Sequence, residues 1–297
     1  MTSLVLATGE VDLDLTLAPL AMLPGDPTLR LRPGRLDRAT LTPSGPGAIS
    51  VAWDRPAAEA TVTTSGPGAG WLADQAPALL GLLDDPTGFA PAAGPLREVW
   101  RRHRGDRVGA TGTLWHDLAW FVLQQRVTRG EAAEQWDRLV RAFGMPAPGT
   151  DGLMLPPAPE AIGRLTYDRL HPLGIERQRA DNLIAAARCA YRLHRDPDLE
   201  ADTALAALAQ VRGVGPWTLA CLATVTYGRA DTVITGDSGI PSMVSWLLAG
   251  ERRADDARMT ELLEPYRPHR YRVVRLASGT RPPRRAPRAP VHEIRGR

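Results

Sequence analysis

The chain contains no lysine: all 36 of its basic side chains are arginine, set against 33 acidic ones, for a formal net charge of +3 over 297 residues. Chemistry that needs a side-chain amine, such as Schiff-base formation with a sugar aldehyde, is therefore closed to it unless the N-terminal amine intervenes. Cysteine is nearly as scarce. Cys189 and Cys221 are the only two and lie far apart, too few for a disulfide framework, a zinc knuckle or a four-cysteine iron–sulfur cluster. A reduced intracellular setting is the default for such a chain. No stretch approaches the roughly 18 uninterrupted apolar residues of a membrane span. The opening Met1-Thr2-Ser3-Leu4-Val5-Leu6 also lacks the basic start and long apolar run of an export signal. A soluble, cytoplasmic protein is expected. The sequence pI near 9.2 favours an anionic partner such as nucleic acid. The small net charge fits an ordinary solvated surface with a basic tail equally well.

The length exceeds one average domain, so two or three compact units are expected. Residues 4 to 65 read as strands. Val11-Asp12-Leu13-Asp14-Leu15-Thr16-Leu17 alternates with period two, and Thr28–Arg32, Ile49–Trp53 and Ala60–Thr64 continue the pattern with Gly and Pro in every gap. They predict a small antiparallel sheet with one face covered by a helix such as Leu72–Leu83. From Leu96 the period becomes helical. Leu114, Leu118, Phe121, Val122 and Gln125 share one face; Ala132, Trp136, Leu139, Val140 and Phe143 share the next, behind Thr128 as N-cap. Asp181–Leu193 and Ala204–Val211 continue as amphipathic helices. His116-Asp117 and Asp255-Asp256 read as ordinary helix-surface pairs. The fold class expected is α+β, a sheet followed by helices. After Ser278 the composition turns to Arg and Pro, which predicts a disordered basic tail over 278–297.

The informative segment is Leu205–Ala220, an amphipathic helix, the turn Val211-Arg212-Gly213-Val214-Gly215, and a second helix opened by Pro216. Proline suits a first helical position, where its missing N–H would be unpaired anyway. Two glycines two apart permit backbone angles that a side chain forbids, and they leave the N–H groups of the turn and of the next helix pointing outward. Such a nest suits a phosphate; a plain helical hairpin is the alternative. The second helix runs to about Tyr227, and Ala230-Asp231-Thr232-Val233-Ile234-Thr235-Gly236-Asp237 then brings a carboxylate back.

This order resembles the helix-hairpin-helix, Gly/Pro-rich loop and catalytic Asp module of the base-excision DNA glycosylases. The resemblance extends upstream to Val122-Leu123-Gln124-Gln125-Arg126-Val127-Thr128 and downstream to Glu264-Pro265-Tyr266-Arg267-Pro268-His269-Arg270. With strands ahead of the helices, it is most similar to the 3-methyladenine (alkylpurine) DNA glycosylase II branch, over residues 1–277. The resemblance implies a β-rich domain at 1–92 and an all-α core of two subdomains. One is formed by 93–112 with 230–277 and carries the catalytic loop; the other is 113–229, ending in the hairpin.

By the same resemblance Asp237 is the catalytic carboxylate, with an N-cap for the helix near Pro241 as its structural alternative. Asp231 falls at a structural turn position. Trp217, where lyase-active relatives carry a Schiff-base lysine, would face the flipped base, and His269 and Gln125 would join it in the base pocket. Arg126 would be the wedge that fills the gap left by the extruded nucleotide. Gly213, Val214, Gly215, Thr218 and Arg270 would bind DNA phosphates, with Arg212 and Arg129 as further candidates. Gly236 stands where an acidic or small residue is usual in that branch, and Ser238-Gly239 where bulkier side chains are usual, which implies a looser loop around Asp237.

The activity implied is hydrolysis of the N-glycosidic bond of a damaged, alkylated purine in double-stranded DNA by a monomer. No catalytic metal or cofactor is implied, apart from a structural monovalent cation on the hairpin carbonyls. Two competing readings stand beside it. One is a catalytically impaired or non-enzymatic DNA-binding protein with the same hairpin. The other is a glycosylase for oxidised or deaminated purines, with Ser238, His269 or Gln125 supplying hydrogen bonds to a neutral base.

Overall fold

A computed structural model describes residues 2–193, 196 and 199–280; residues 281–297 of the basic tail lie outside the described residues. The fold is α+β, with a five-stranded antiparallel sheet preceding a helical body. The sheet is built from β1 (Thr2–Ala7), β2 (Leu29–Arg32), β3 (Arg35–Thr42), β4 (Gly45–Asp54) and β5 (Glu59–Ser65), in the order β1-β5-β4-β3-β2. Between β1 and β2 the chain forms α1 (Leu13–Leu17) where alternation predicts a strand. Asp12 explains the difference: its side chain accepts the Leu15 N–H at 3.2 Å and caps the turn. Leu13 and Leu17, four apart, then drop together into the core.

β3 has no counterpart among the predicted strands. Its residues from Leu36 to Thr42 are all buried, so period-two alternation has no solvent face on which to register. The covering helix α2 runs over Ala69–Leu79, and its Leu72, Ala76 and Leu79 pack with Leu36, Ile49, Val51, Ala60 and Val62 of the sheet. Leu83, expected in that helix, is 74% exposed.

The helical body comprises α3 (Gly94–Arg102), α4 (Leu114–Leu123), α5 (Arg129–Phe143), a two-stranded ribbon of β6 (Met145–Pro146) and β7 (Met154–Leu155), α6 (Pro159–Gly163), α7 (Tyr167–Leu170), α8 (Arg177–Leu193), α9 (Ala201–Ala209), α10 (Pro216–Val225), α11 (Ile240–Ala249), α12 (Asp256–Leu263) and α13 (Arg270–Ala277). The Thr128 cap on α5 is as expected, its hydroxyl accepting the Glu131 N–H at 3.2 Å. α4 is buried on every side, not on one face. It is the central helix of the larger core, against which α8 and α10 pack.

That burial overturns the surface reading of His116 and Asp117, each 4% exposed. Arg38 of β3, itself buried, donates to Asp117 Oδ1 at 3.1 Å and to the Thr113 hydroxyl at 2.8 Å. Thr226 at the end of α10 donates to Asp117 Oδ2 at 2.8 Å, and Thr111 donates to the same oxygen. His116 lies between the Thr28 and Thr40 hydroxyls and stacks on Trp136, whose indole N–H reaches Asp26. One polar network thus ties the sheet, α4, α5 and the end of α10 together. Paired and hydrogen-bonded charges are the form in which burial is tolerable. Burial drives the Asp117 and Asp26 carboxyls upward and the Arg38 guanidinium downward in pKa, with the attraction of the partner charges opposing each shift.

Candidate active site

The hairpin joins α9 to α10 through residues 210–215. Gly213 has φ +88°, and a Cβ there would lie 2.1 Å from the Asn182 side chain of α8. Glycine is therefore required twice over, for backbone and for space. Gly215 is different: its φ of −94° and ψ of −178° suit any residue, and a Cβ would meet nothing within 4 Å. Only the first glycine meets the expectation of a forbidden angle. Pro216 occupies the first turn of α10 as predicted.

The turn offers less outward surface for a phosphate than expected. Val214 is 4% exposed and donates its N–H to the Val211 carbonyl at 3.0 Å; Thr218 is 1% exposed. Both stand behind the surface, held there because Val214 packs into the core and Thr218 accepts from Gln125. What faces outward is the backbone at exposed Gly213 and half-buried Gly215, beside exposed Arg212. The hairpin carbonyls are hard oxygen donors of the type a monovalent cation takes. Those of Val211, Gly213 and Gly215 already accept an N–H each, from Val214, the Gln125 amide and Leu219, so a cation there would share them.

Asp237 sits half-buried between α10 and α11. Its Oδ1 accepts the N–H groups of Gly239 at 2.7 Å and Ile240 at 2.9 Å, so it tethers the start of α11 from outside the helix, the N-cap residue itself being Gly239. Its Oδ2 accepts the indole N–H of Trp217 at 3.2 Å. That tether consumes one oxygen and leaves the other at the mouth of α10, fixed by the indole. Trp217 is half-buried, backed edge to face by Phe121 at 5.9 Å between ring centroids. The loop is pinned, against the expectation of looseness: Gly236, at φ +80°, donates its N–H to Asp256 Oδ2 at 2.8 Å. Asp255 caps α12 through the Arg258 N–H, so both members of that pair have structural work.

Other predicted site residues lie elsewhere or are otherwise engaged. His269 is 7% exposed; its Nε2 meets the Thr87 carbonyl at 3.0 Å and its Nδ1 accepts from Arg272 Nε at 3.1 Å. It lines a cleft of about 550 Å³ with Asp84, Asp85, Tyr227 and Arg272, a cleft whose wall includes neither Trp217 nor Asp237. The structure therefore does not bring it into a shared pocket with them. Arg270 donates to both carboxylate oxygens of Asp231, at 2.8 and 2.9 Å, and to its carbonyl. A phosphate would have to compete with that bidentate pair. Burial alone would raise the Asp231 carboxyl, but the hydrogen bonds and charge of Arg270 outweigh it and hold the pKa below the usual value.

Gln125 is also committed. Its Nε2 donates to the Gly213 carbonyl and the Thr218 hydroxyl, both at 2.9 Å, and its Oε1 accepts from Asn182 Nδ2 at 3.2 Å. Arg126 beside it is exposed and has φ +60°, one of two non-glycine residues with positive φ among the described residues. Arg129 is exposed without an ion pair among the described residues. Asn182, Asp256 and Phe121 were not picked out as site residues. Asn182 carried one signal, a buried amide in the interior of a helix, where asparagine is disfavoured unless its side chain has a partner.

A helical hairpin, a carboxylate held by the tryptophan of its second helix, and an ordered loop between them define the architecture of a base-excision repair protein. The chain belongs to the HhH-GPD superfamily of base excision DNA repair proteins, whose model matches residues 119–268, just over half of the sequence. It is 24% identical over 153 residues to a putative DNA-3-methyladenine glycosylase of Bacillus subtilis, covering 50% of this chain and 52% of that one. It is 29% identical over 181 residues to a probable bifunctional transcriptional activator/DNA repair enzyme AlkA of Mycobacterium tuberculosis, covering 59% and 36%. The chain thus spans about half or less of these curated relatives. The fold is similar to that of a 3-methyladenine DNA-glycosylase from Archaeoglobus fulgidus, with a TM-score of 0.74 at 19% identity over 94% of this chain and 98% of that one. It is also similar to an 8-oxoguanine glycosylase/lyase of Clostridium acetobutylicum, with a TM-score of 0.66 at 10% identity over 94% and 96%. No helix among the described residues is long and apolar enough to cross a membrane.

Proposed function

We propose that the protein is a monofunctional DNA glycosylase that extrudes a damaged, alkylated purine from duplex DNA and hydrolyses its N-glycosidic bond with Asp237. The observation that carries this is the carboxylate's dual fixation: two backbone N–H groups on Oδ1 and the Trp217 indole on Oδ2. An anion held in place by fixed dipoles needs no reorganisation when positive charge develops on the sugar. Asp237 stabilises the oxocarbenium-like sugar and orients the attacking water, as a glycosidase carboxylate does. The base leaves with the glycosidic electron pair, water adds to the anomeric carbon, and its proton passes to solvent or to the carboxylate. With no lysine in the sequence, no side-chain amine is present to capture the sugar aldehyde, so hydrolysis to an abasic site is the end point. A monovalent cation on the hairpin carbonyls would brace the turn and take no part in bond cleavage.

A cationic alkylated purine is favoured over a neutral lesion by where the polar side chains go. A neutral base needs hydrogen-bond donors to be told from normal purines; of the three candidates the amide of Gln125 and the imidazole of His269 are committed elsewhere, which leaves the exposed Ser238 hydroxyl alone for that task. A purine alkylated at N3 or N7 is already a good leaving group and gains from the π face of Trp217. The name of the Bacillus subtilis relative, a putative DNA-3-methyladenine glycosylase, points the same way.

The test is release of bases from duplexes carrying single 3-methyladenine-like, 7-methylguanine, ethenoadenine, hypoxanthine or oxoguanine lesions, scored as alkali-labile sites. Activity on the cationic purines that Asp237→Asn abolishes, with duplex affinity retained, is the expected result. Equal release by both proteins would remove Asp237 from the mechanism. Binding without release from any lesion would favour the non-enzymatic reading.

A further inference from the structure

Gln125 is expected in the base pocket, yet both polar atoms of its amide are engaged by groups of the protein itself. Nε2 bridges the Gly213 carbonyl of the hairpin turn and the Thr218 hydroxyl of α10, while Oε1 takes the Asn182 amide of α8. Asn182 is 8% exposed and lies so close to Gly213 that a single methyl group there would overlap it. The amide of Gln125 is thus the joint at which α4, α8 and the hairpin meet. It immediately precedes Arg126, whose left-handed backbone carries a steric penalty for any side chain with a Cβ. Such a conformation persists only where its surroundings over-determine it. Here they do: Gln125 is clasped to the hairpin on one side, and on the other Val127 packs against the core and Thr128 caps α5.

We propose that the Gln125–Asn182 clasp is a positioning device that fixes the Arg126 side chain relative to the phosphate-gripping turn. Strand gripping and filling of the vacated base position then occur in one register. Gln125 acts through Arg126 and does not touch the reacting atoms. This rests on the glycosylase reading, and it specifies which step of that reaction the clasp serves: extrusion of a paired lesion, not bond cleavage.

A base that is already unpaired needs little wedging, whereas a paired one must be displaced and its gap filled. Loss of the clasp should therefore slow excision of a paired lesion by roughly tenfold, the scale of one or two net hydrogen bonds. The same lesion in a single-base bulge should be excised within about twofold of the parent rate.

The decisive experiment is a cycle of Gln125→Ala, Arg126→Ala and the double variant. Extrusion is read in an Asp237→Asn background from the fluorescence of 2-aminopurine placed beside the lesion, and excision is read in the active protein. Expected is a large loss of extrusion from Gln125→Ala when Arg126 is present and none when it is already alanine, the non-additivity of residues acting as a unit. Thr218→Val, nearly isosteric and removing one acceptor of the clasp, should give a smaller loss with the same dependence on Arg126. Equal losses with and without Arg126, or equal losses on paired and bulged lesions, would reduce the clasp to a packing contact and overturn the proposal. No fluorescence change with the parent on any lesion would overturn the glycosylase reading and this proposal together.

Discussion

The indole N–H of Trp217 and Oδ2 of Asp237 are 3.2 Å apart, joining the first turn of α10 to the loop that opens α11. One side chain thereby serves two physical purposes. Its ring packs edge to face with Phe121, and under the proposed function it stacks on the base; its single polar atom restrains the carboxylate. Because an indole can only donate, it holds the carboxylate as an acceptor at Oδ2.

These two contributions separate on substitution. Trp217→Phe keeps most of the aromatic face and removes the N–H, so under the proposed function KM for an alkylated duplex should change little. The single-turnover rate should fall by about tenfold to a hundredfold, the worth of a hydrogen bond to a charged group. Trp217→Ala should lose both, lowering affinity for the lesion as well. A phenylalanine variant with the parental rate would show that stacking is the tryptophan's whole contribution.

The two hairpin glycines should fail in opposite ways. Gly213→Ala faces both a positive φ and the Asn182 side chain at 2.1 Å, and should destabilise the fold by about 2 kcal/mol or more, visible as a lowered unfolding midpoint. Gly215→Ala has an ordinary backbone and an empty surrounding, so stability should stay within about 0.5 kcal/mol. If the turn receives a DNA phosphate, the new methyl group stands where the backbone must approach, and duplex affinity should drop by about tenfold. Undiminished affinity in the Gly215 variant would move the phosphate away from this turn.

How far the sequence exposed this molecule depended on whether a residue's partner lies nearby in the chain. Thr128 and Pro216 announce helix starts by local chemistry, and both do so here. Asp237 is readable as a cap and as a catalytic residue; its carboxylate holds the first N–H groups of α11 from two residues outside the N-cap, Gly239. β3 was invisible because both its faces are covered, and Asp37 and Arg38 inside it mimic a polar loop. His116 and Asp117 looked solvated because their partners Arg38, Thr40 and Thr226 are 76 to 109 residues away. Separations of 88 and 182 residues hid the commitments of Gln125 to Gly213 and of His269 to Thr87.

The buried network predicts a pH dependence of stability. Burial, reinforced by the nearby Arg38 charge, lowers the His116 pKa well below its ordinary 6.5. The unfolded chain therefore takes up a proton near pH 6.5 that the folded protein refuses. Stability should fall as pH drops from about 6.5, by up to about 1.4 kcal/mol per unit for this one group. Asp26 and Asp117, raised by burial, act in the opposite sense: their contribution is complete below the unfolded value of 3.8 and is lost as pH rises through their folded values. They oppose the His116 decline wherever the pH lies near or below their folded values. Denaturant unfolding between pH 7.5 and 5 should show this slope, and His116→Gln should flatten it. An unchanged slope in that variant would assign the dependence to other groups.

Arg126 should display a trade between stability and function. Its backbone at φ +60° is one that glycine adopts freely and arginine adopts at a cost of about 1 kcal/mol or more. The side chain is exposed and has no ion pair among the described residues to offset that cost. Arg126→Gly should therefore raise the unfolding midpoint by roughly 2–4 °C, as expected for about 1 kcal/mol in a chain of this size. If the side chain fills the space left by an extruded nucleotide, the same substitution should slow excision of a paired lesion by tenfold or more while leaving a bulged one nearly untouched. Arg126→Ala, which keeps the strained backbone but removes the guanidinium, should reproduce the loss of excision without the gain in stability. The pair of variants thus separates the backbone from the side chain. A glycine variant that is both more stable and fully active would show that the strain serves no step of the reaction.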